Sequence, residues 1–571
     1  MRAGSTFLLL IMLGGAPADA SERWVERTLR SMSVDEKIGQ LLMARSGPGS
    51  FRALDSEEMK QVRRAIEELH VGSLHAGIGD AASLAVILNE LQSLARVPLL
   101  TAANLEGGAG YVLYGATRMP LAMAIAATGD EALAREAAGI TAREGRAVGV
   151  NVNFYPVADV NNNPANPIIN IRSFGEDPAS VARLVAAYVR GIQQNGQIAT
   201  AKHFPGHGDV EVDSHLAMPV LDVGRERLDA IELPPFRAAI EAGAGAIMTA
   251  HIALPRIEPD RDLPATLSKA ILTSLLRDDL RFEGVLFTDS MGMRGVTASF
   301  EPGDAAVRAV EAGADVVIGS PDLEASYRAL QEAVRSGRIT PERLDLSVRR
   351  VLRAKASLGL ADRKERFADP ARLMEIVGTE ANREVAQRIA DRAITLVKDE
   401  RDVLPLRPSP DLRVVQIHVL DTRAGWREGP VGRILAAELP KRFPRAVTVQ
   451  VDDQTTPAEY DLVRKLAGIA DALVVNGFVR VASYKGSIDL NADQIELLRD
   501  LVALDTPLVF TAFGSPYVLT RLGELPAYAV TYDISGTAER AAIRAITGEI
   551  PYRGRLPINL AGHPIGHGLT K

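Results

Sequence analysis

The 571-residue chain contains no cysteine. Disulfides, thiolate nucleophiles, zinc–thiolate sites and iron–sulfur clusters are therefore excluded. It also lacks a basic excess, since 65 Lys and Arg face 72 Asp and Glu, a net charge of -7. Nothing is left over to neutralise a phosphate backbone, which argues against a nucleic-acid partner. Aromatic residues are sparse at 5%. Ala, Gly, Val and Leu dominate instead, the make-up of parallel α/β proteins with apolar strands and small-residue helices. With 47% hydrophobic and 24% charged residues, the composition is that of a globular protein and not of a disordered one. Past the N-terminus no apolar run is long enough for a membrane helix.

The N-terminus itself has a three-part pattern. Arg2 supplies a positive charge, Phe7 to Leu13 an apolar core too short to span a bilayer, and Ala18-Asp19-Ala20 a small-residue cleavage site. The expectation is a signal peptide over residues 1–20, cut before Ser21, and an exported protein, periplasmic or secreted. With no cysteine behind the apolar core, a lipoprotein anchor is excluded.

From residue 21 to about 360, short apolar strands alternate with amphipathic helices. Candidate strands are Val71–Ile78, Pro98–Leu105, Val150–Tyr155, Ile198–His203, Gly245–His251, Gly284–Asp289 and Asp315–Gly319. Such alternation predicts a parallel sheet, most simply a (β/α)8 TIM-type barrel. A doubly wound open sheet is the alternative, but no glycine-rich phosphate turn follows the first strand. Residues 361–393 read as a charged linker and a connecting helix. A C-terminal α/β sandwich domain follows over 394–571, with strands at Ile394–Val397, Val414–Val419, Val447–Val451, Ala472–Val475, Leu508–Ala512 and Tyr528–Tyr532.

Polar residues gather at the C-terminal ends of the first-domain strands: Asn104-Leu105-Glu106, Lys202-His203, His251 and Thr288-Asp289. Barrel enzymes build their sites there. The densest segment is Lys202-His203-Phe204-Pro205-Gly206-His207-Gly208-Asp209, followed by Asp213-Ser214-His215. Three histidines suggest zinc, but Pro205 and Gly206 break any helical ligand pair, so no metal is expected. A Ser-His-Asp relay would need neighbours in the chain to meet in triad geometry, and no G-x-S-x-G turn exists. In an extended loop, residues two apart share a side. Asp213 can then orient His215 for general acid/base work near neutral pH. Gly206 and Gly208 would let this loop bend. Asp289 ends its strand as a nucleophile would, or else caps the next helix. Arg172 offers a fork of donors to a ligand, or else pairs with Glu176 or Asp177.

These segments resemble glycoside hydrolase family 3, in its β-N-acetylhexosaminidase branch. Lys202–Asp209 with Asp213-Ser214-His215 is similar to that branch's long signature. Asn170–Pro178, Thr288–Met293 and Pro156–Asn161 match further family motifs. Ile394–Asp399 with Leu404-Pro405-Leu406 resembles the start of the family's second domain. Gly514-Ser515-Pro516-Tyr517 and Gly554-Arg555-Leu556-Pro557 resemble its end.

The resemblance implies a retaining exo-glycosidase that releases terminal β-linked N-acetylglucosamine and needs no cofactor. Its substrate would be a small carbohydrate or glycan fragment, such as a peptidoglycan fragment or a chitooligosaccharide. Asp289 would be the nucleophile, His215 the acid/base and Asp213 its partner. Arg172, Lys202, His203 and Asn104 would bind sugar hydroxyls, and His251 and Met293 would line the same mouth. The family's D-x-E-G-G-R appears here as Asn104-Leu105-Glu106-Gly107-Gly108-Ala109, so an amide replaces a carboxylate and Ala109 an arginine. Three rivals stay open: a β-glucosidase, a glycoside phosphorylase, with which a histidine acid/base is compatible, and, motivated by that departure, a carbohydrate-binding protein without activity. In the second domain, Arg423–Glu428 and Ser483–Ile488 are the segments that could reach the site.

Overall fold

The computed structural model describes residues 18–45, 56–422 and 430–571. Most of the expected export signal, and Arg423–Glu428, lie outside the described residues. Among the described residues no helix is long and apolar enough to cross a membrane.

The first domain is a closed parallel barrel. Its strands are β1 (Leu42–Arg45), β2 (Ser73–His75), β3 (Leu100–Ala103), β4 (Val152–Asn153), β5 (Ile198–Phe204), β6 (Ala246–Thr249), β7 (Val285–Ser290) and β8 (Val316–Ile318). Each pairs with the next, and β1 closes on β8 through Leu42↔Val317 and Met43↔Ile318. The sequence reading found β2 to β8 but not β1. Leu42 to Arg45 follows helix Val34–Gln40 after a single residue, with no glycine, proline or polar cluster to separate them. The two apolar patterns merge.

The barrel is filled, not hollow. Met43, Leu100, Ala102, Val152, Phe154, Met248, Phe287 and Ile318 form one buried cluster inside it, with Phe154 edge-on to Phe287 at 5.3 Å. A larger cluster packs the helices onto the outside of the strands. Glycine allows the closest approaches. A Cβ on Gly208 would lie 1.8 Å from the Val160 carbonyl oxygen, and one on Gly206 2.8 Å from Glu232. These glycines seat the loop after β5 against its neighbours, and Gly206, at φ 132°, also takes a backbone conformation that L side chains rarely adopt.

The segment after the barrel runs over its flank. The Ala368 N–H donates to Asn89 and the Gly378 N–H to Glu144. Helix Glu380–Ala393 then enters the second domain, a six-stranded sheet. Its strands are β9 (Thr395–Asp399), β10 (Val414–Leu420), β11 (Val447–Val451), β12 (Ala472–Val479), β13 (Leu508–Gly514) and β14 (Ala527–Val530). The order is β9-β14-β13-β12-β10-β11, parallel except for β9 against β14. Apolar clusters cover both faces.

The two domains share a seam. Leu121, Met123, Ala124, Ala127 and Ile171 of the barrel join the core of the second domain. The Asn161 amide donates to the Tyr517 hydroxyl at 3.0 Å and the Asn170 amide to Ser515 at 3.2 Å. Gly175, at φ 140°, lies so close to Pro557 that a Cβ would come within 2.4 Å of its oxygen. The Asn170–Pro178 motif thus meets the Gly514–Tyr517 and Gly554–Pro557 motifs.

Candidate active site

At the C-terminal ends of the strands opens a cavity of about 510 Å³. Arg45, His75, Asn104, Lys202, His203 and Asp289 reach it from strand ends, and residues 480–484 close one side from the second domain. It sits on the barrel filling, with Phe154, Met248 and Ile318 as its floor.

Glu106 organises one wall. It is 6% exposed and lies between two cations. Arg172 grips it with two parallel bonds, Nε to Oε2 at 2.8 Å and Nη2 to Oε1 at 2.9 Å, and Lys202 Nζ lies 2.7 Å from Oε1. Burial alone would raise the Glu106 carboxyl, but Arg172 and Lys202 hold it well below the usual range. Lys202 is lowered, first by burial and then by the Arg172 charge, while Glu106 acts against both. Arg172 therefore pairs with Glu106 and not with Glu176 or Asp177. A third bond, from Nη1 to the Ile168 carbonyl at 2.8 Å, fixes its plane. A guanidinium has five N–H groups and an ammonium three, so each cation keeps donors to spare.

Asn104 stands beside this cluster. Its Oδ1 accepts from Lys202 Nζ at 3.0 Å, and its Nδ2 lies 3.4 Å from His75 Nε2. His75 is pushed down to about 3, by burial and then by Arg45 and Lys202. It is therefore neutral and accepts from the amide, which orients the Asn104 oxygen toward Lys202. Ala109 is fully buried and does not line the cavity. Arg118 lies against the neighbouring Gly107, donating to its carbonyl at 3.2 Å.

Asp289 lies at the end of β7. The Ser290 N–H donates to its Oδ1 at 2.7 Å. The next helix, Arg294–Thr297, has Met293 at its N-cap, so Asp289 is no helix cap. Burial pushes the Asp289 carboxyl up, but the nearby His203 and His251, the Ser290 N–H and His215 outweigh it and hold it at about 2. It is a carboxylate at any ordinary pH.

Asp159 is the other buried anchor. Its Oδ2 lies 2.7 Å from His203 Nδ1, and its Oδ1 accepts from the backbone N–H of His203 and of His207. His203 is thereby left with Nε2 toward the cavity. His207 lines the cavity too, with Nε2 3.0 Å from Ser214 Oγ.

Asp213 and His215 meet, but in a tight turn where the sequence suggested an extended loop. Asp213 Oδ1 accepts from the His215 backbone N–H at 2.9 Å and lies 2.7 Å from its Nδ1. The Leu216 and Ala217 N–H groups fold back onto the Asp213 carbonyl. Burial raises the Asp213 carboxyl, but bonds from His215 and the Tyr484 N–H leave it below its ordinary value. His215 Nε2 remains for a ligand. The Tyr484 N–H reaches Asp213 Oδ2 at 2.8 Å, so the second domain completes the pair.

Of the residues singled out in the sequence, Asp289, His215, Arg172, Lys202, His203, Asn104 and Met293 line the cavity. Asp213 stands behind His215. His251 does not line the mouth. It is 1% exposed, its Nδ1 lies 2.8 Å from Thr266 Oγ1, and its Nε2 lies 3.0 Å from the Ser290 carbonyl. It props up the β7 end from behind. Sequence reasoning missed Glu106, Asp159, His75 and Arg45 as site residues, whereas Ser483 and Tyr484 belong to Ser483–Ile488, the segment expected to be able to reach the site. Glu106 and Asp159 sat inside quoted motifs, and position at a strand end was the available signal.

Comparison with known proteins agrees with this architecture. The sequence profile "Glycosyl hydrolase family 3 N terminal domain" matches residues 33–354. A β-N-acetylglucosaminidase/β-glucosidase of Cellulomonas fimi is 34% identical over 561 residues, covering 94% of this chain and 95% of that protein. The solved structure of a family 3 β-N-acetylglucosaminidase from a Paenibacillus species is 34% identical with a TM-score of 0.81, covering 93% of this chain and 99% of its own. A β-glucoside phosphorylase structure is 29% identical with a TM-score of 0.84, covering 95% and 97%.

Proposed function

The chain belongs to glycosyl hydrolase family 3, and on that premise we propose that it is an exo-acting, retaining β-N-acetylglucosaminidase. The coarse part of this reading, a glycosidase of the β-N-acetylglucosaminidase type, follows from the relatives. One observation carries the finer part: an ionised Asp289 and the His215–Asp213 pair open on one cavity.

In the proposed reaction Asp289 attacks C1 of the terminal sugar, and the C1–O bond to the leaving group breaks. His215 Nε2 gives its proton to the departing oxygen while Asp213 stabilises the imidazolium it holds at Nδ1. Water then attacks C1, and the C1–O bond to Asp289 breaks and returns its carboxylate. His215 takes the water proton, and the sugar leaves with the configuration it had at the start. A carboxylate held at about 2 suits a nucleophile, which must be charged when substrate arrives. Arg172 and Lys202, held on their far sides by Glu106, present donors to the hydroxyls, and His203, held by Asp159, presents its Nε2. The N-terminal signal pattern supports export, where peptidoglycan fragments or chitooligosaccharides would be met.

A second reading has its own support. The phosphorylase likeness, and an acid/base histidine that does not repel an anion as a carboxylate would, favour phosphate as an alternative acceptor. One experiment addresses both. A panel of chromogenic β-glycosides is assayed with and without phosphate, and the enzyme is trapped with a fluorinated glycoside and mapped by mass spectrometry. Label on Asp289 and N-acetylglucosamine release without phosphate are expected. Label elsewhere in an active enzyme sinks the nucleophile assignment, and a sugar phosphate as main product replaces hydrolysis by phosphorolysis.

A further inference from the structure

The cavity is basic in an acidic protein. Among the described residues, Arg45, Arg172, Lys202 and Arg480 line it against two carboxylates, Glu106 and Asp289, although the chain as a whole carries a net charge of -7. The excess is not spread evenly. Arg172 and Lys202 share Glu106, and Arg480 comes from the second domain. Arg45 is left over. It ends β1, it is exposed, and among the described residues its guanidinium has no ion-pair or hydrogen-bond partner.

The order of the barrel decides which part of a sugar this charge meets. Asp289 ends β7 and Asn104 follows β3, so the two face each other across the ring of strands. On the proposed reading C1 of the terminal sugar lies at Asp289. C4, which is opposite C1 in a pyranose, then points toward Asn104, and the two edges of the sugar look opposite ways. Arg172, Lys202 and His203 stand on the β5 side, where their donors suit the edge that carries the 3- and 4-hydroxyls. The other edge, with the ring oxygen and the C6 arm, turns to β1 and β2. Arg45 and His75 end those two strands as register partners.

This edge offers donors and, among the described side chains, no free acceptor. A guanidinium has five N–H groups and accepts nothing. The Asn104 oxygen is turned to Lys202. His75 is neutral and takes the Asn104 amide at Nε2, which leaves its proton on Nδ1, a buried atom without a protein partner. A 6-hydroxyl has a proton to donate and finds no side chain here to receive it. An oxyanion only accepts, and its charge answers the cation left over on β1.

We infer that the terminal sugar of the substrate carries an oxyanion on its C6 arm, a carboxylate or a sulfate ester, held by Arg45. The inference rests on the glycosidase reading and adds the chemical class of the sugar that the site selects. Arg45 takes no part in making or breaking bonds. Its contribution is to specificity.

The full chain is assayed on two matched pairs of 4-nitrophenyl β-glycosides: the N-acetylglucosaminide with and without a 6-sulfate, and the glucuronide against the glucoside. The expected result is a kcat/KM roughly ten-fold higher for the anionic member of at least one pair, and the pair that shows it tells ester from carboxylate. Arg45→Gln, at an exposed strand end where the fold has little at stake, should cancel that preference, and Arg45→Lys should keep part of it. Because Arg45 is open to solvent, the preference should also shrink as salt is raised. No preference for the anionic member in either pair, or a preference that Arg45→Gln leaves intact, overturns the inference while the glycosidase reading stands. If none of these glycosides is cleaved, the glycosidase reading itself fails and the inference with it.

Discussion

Both domains bury polar side chains on parallel strands, and among the described residues it is the barrel that gathers them around the cavity. In the second domain Gln416, His418, Asn476 and Thr511 lie on β10, β12 and β13, and none exceeds 3% exposure. His418, Asn476 and Thr511 are in register across the sheet. Burial pushes His418 down to about 4. Both polar atoms of the Asn476 amide lack a protein partner. In the barrel the polar groups pair with one another around the mouth, Glu106 between Arg172 and Lys202, Asp159 against His203 and Asp213 against His215, and Glu106, Arg172, Lys202, His203 and His215 line the cavity. The lesson is that polar burial alone marks nothing. Opposite charges that restrain one another around a cavity keep ionised groups ready, and that needs strand ends, where the sheet stops covering itself.

Four substitutions would break or sharpen this contrast. The largest effect is expected for His215→Ala, a loss of about 10²–10⁴-fold in kcat/KM on substrates with poor leaving groups and far less on activated aryl glycosides. Equal loss on both would make His215 a binding residue. Glu106→Gln comes next. It strands two buried cations, so a destabilisation of about 3–5 kcal/mol in urea unfolding is expected, together with a raised KM. The sign with pH follows. The Glu106 carboxyl is depressed in the fold from an ordinary 4.5. Its stabilisation is complete above that value and is lost as pH falls through the depressed one. The variant should lack that part of the acid slope, and an unchanged slope would mean that the ion cluster is not charged as described.

Asn104→Asp returns charge to the barrel wall beside Lys202. A charge-assisted bond is worth about 1.5–3 kcal/mol, so selectivity between sugar epimers should move by roughly ten-fold or more. The new carboxylate should also raise His75 from about 3, which NMR titration of that ring would read. No change in kcat/KM for any glycoside would remove residue 104 from substrate contact. The smallest effect belongs to the second domain. Asn476→Leu trades an unpaired buried amide for apolar volume and should be neutral or stabilising within about 1 kcal/mol, with kcat/KM unaltered. A large loss of activity there would dissolve the contrast.

Much of this was legible from residues alone because strands and loops speak locally. Each of β2 to β8 is short, apolar and bounded by turn residues. The exception, β1, runs on from its helix. The Asp213–His215 pair is two residues apart, and Asp289 ends its own strand. Glu106 was not legible as a centre because Arg172 is 66 residues away. Nor was His251 legible as a prop, since a histidine at a strand end reads the same whether it faces the cavity or packs behind it.

The sequence by itself determined the barrel, the second sheet and the chemical types at the strand ends. Those follow from hydrophobic period, turn residues and motif spacing, which act over a few residues. Only the tertiary structure decided which charges restrain which, that Gly208 serves close packing, and that a tyrosine of the second domain stands beside His215. Those depend on distances between segments tens to hundreds of residues apart, set when the barrel closes and the two domains join along their seam.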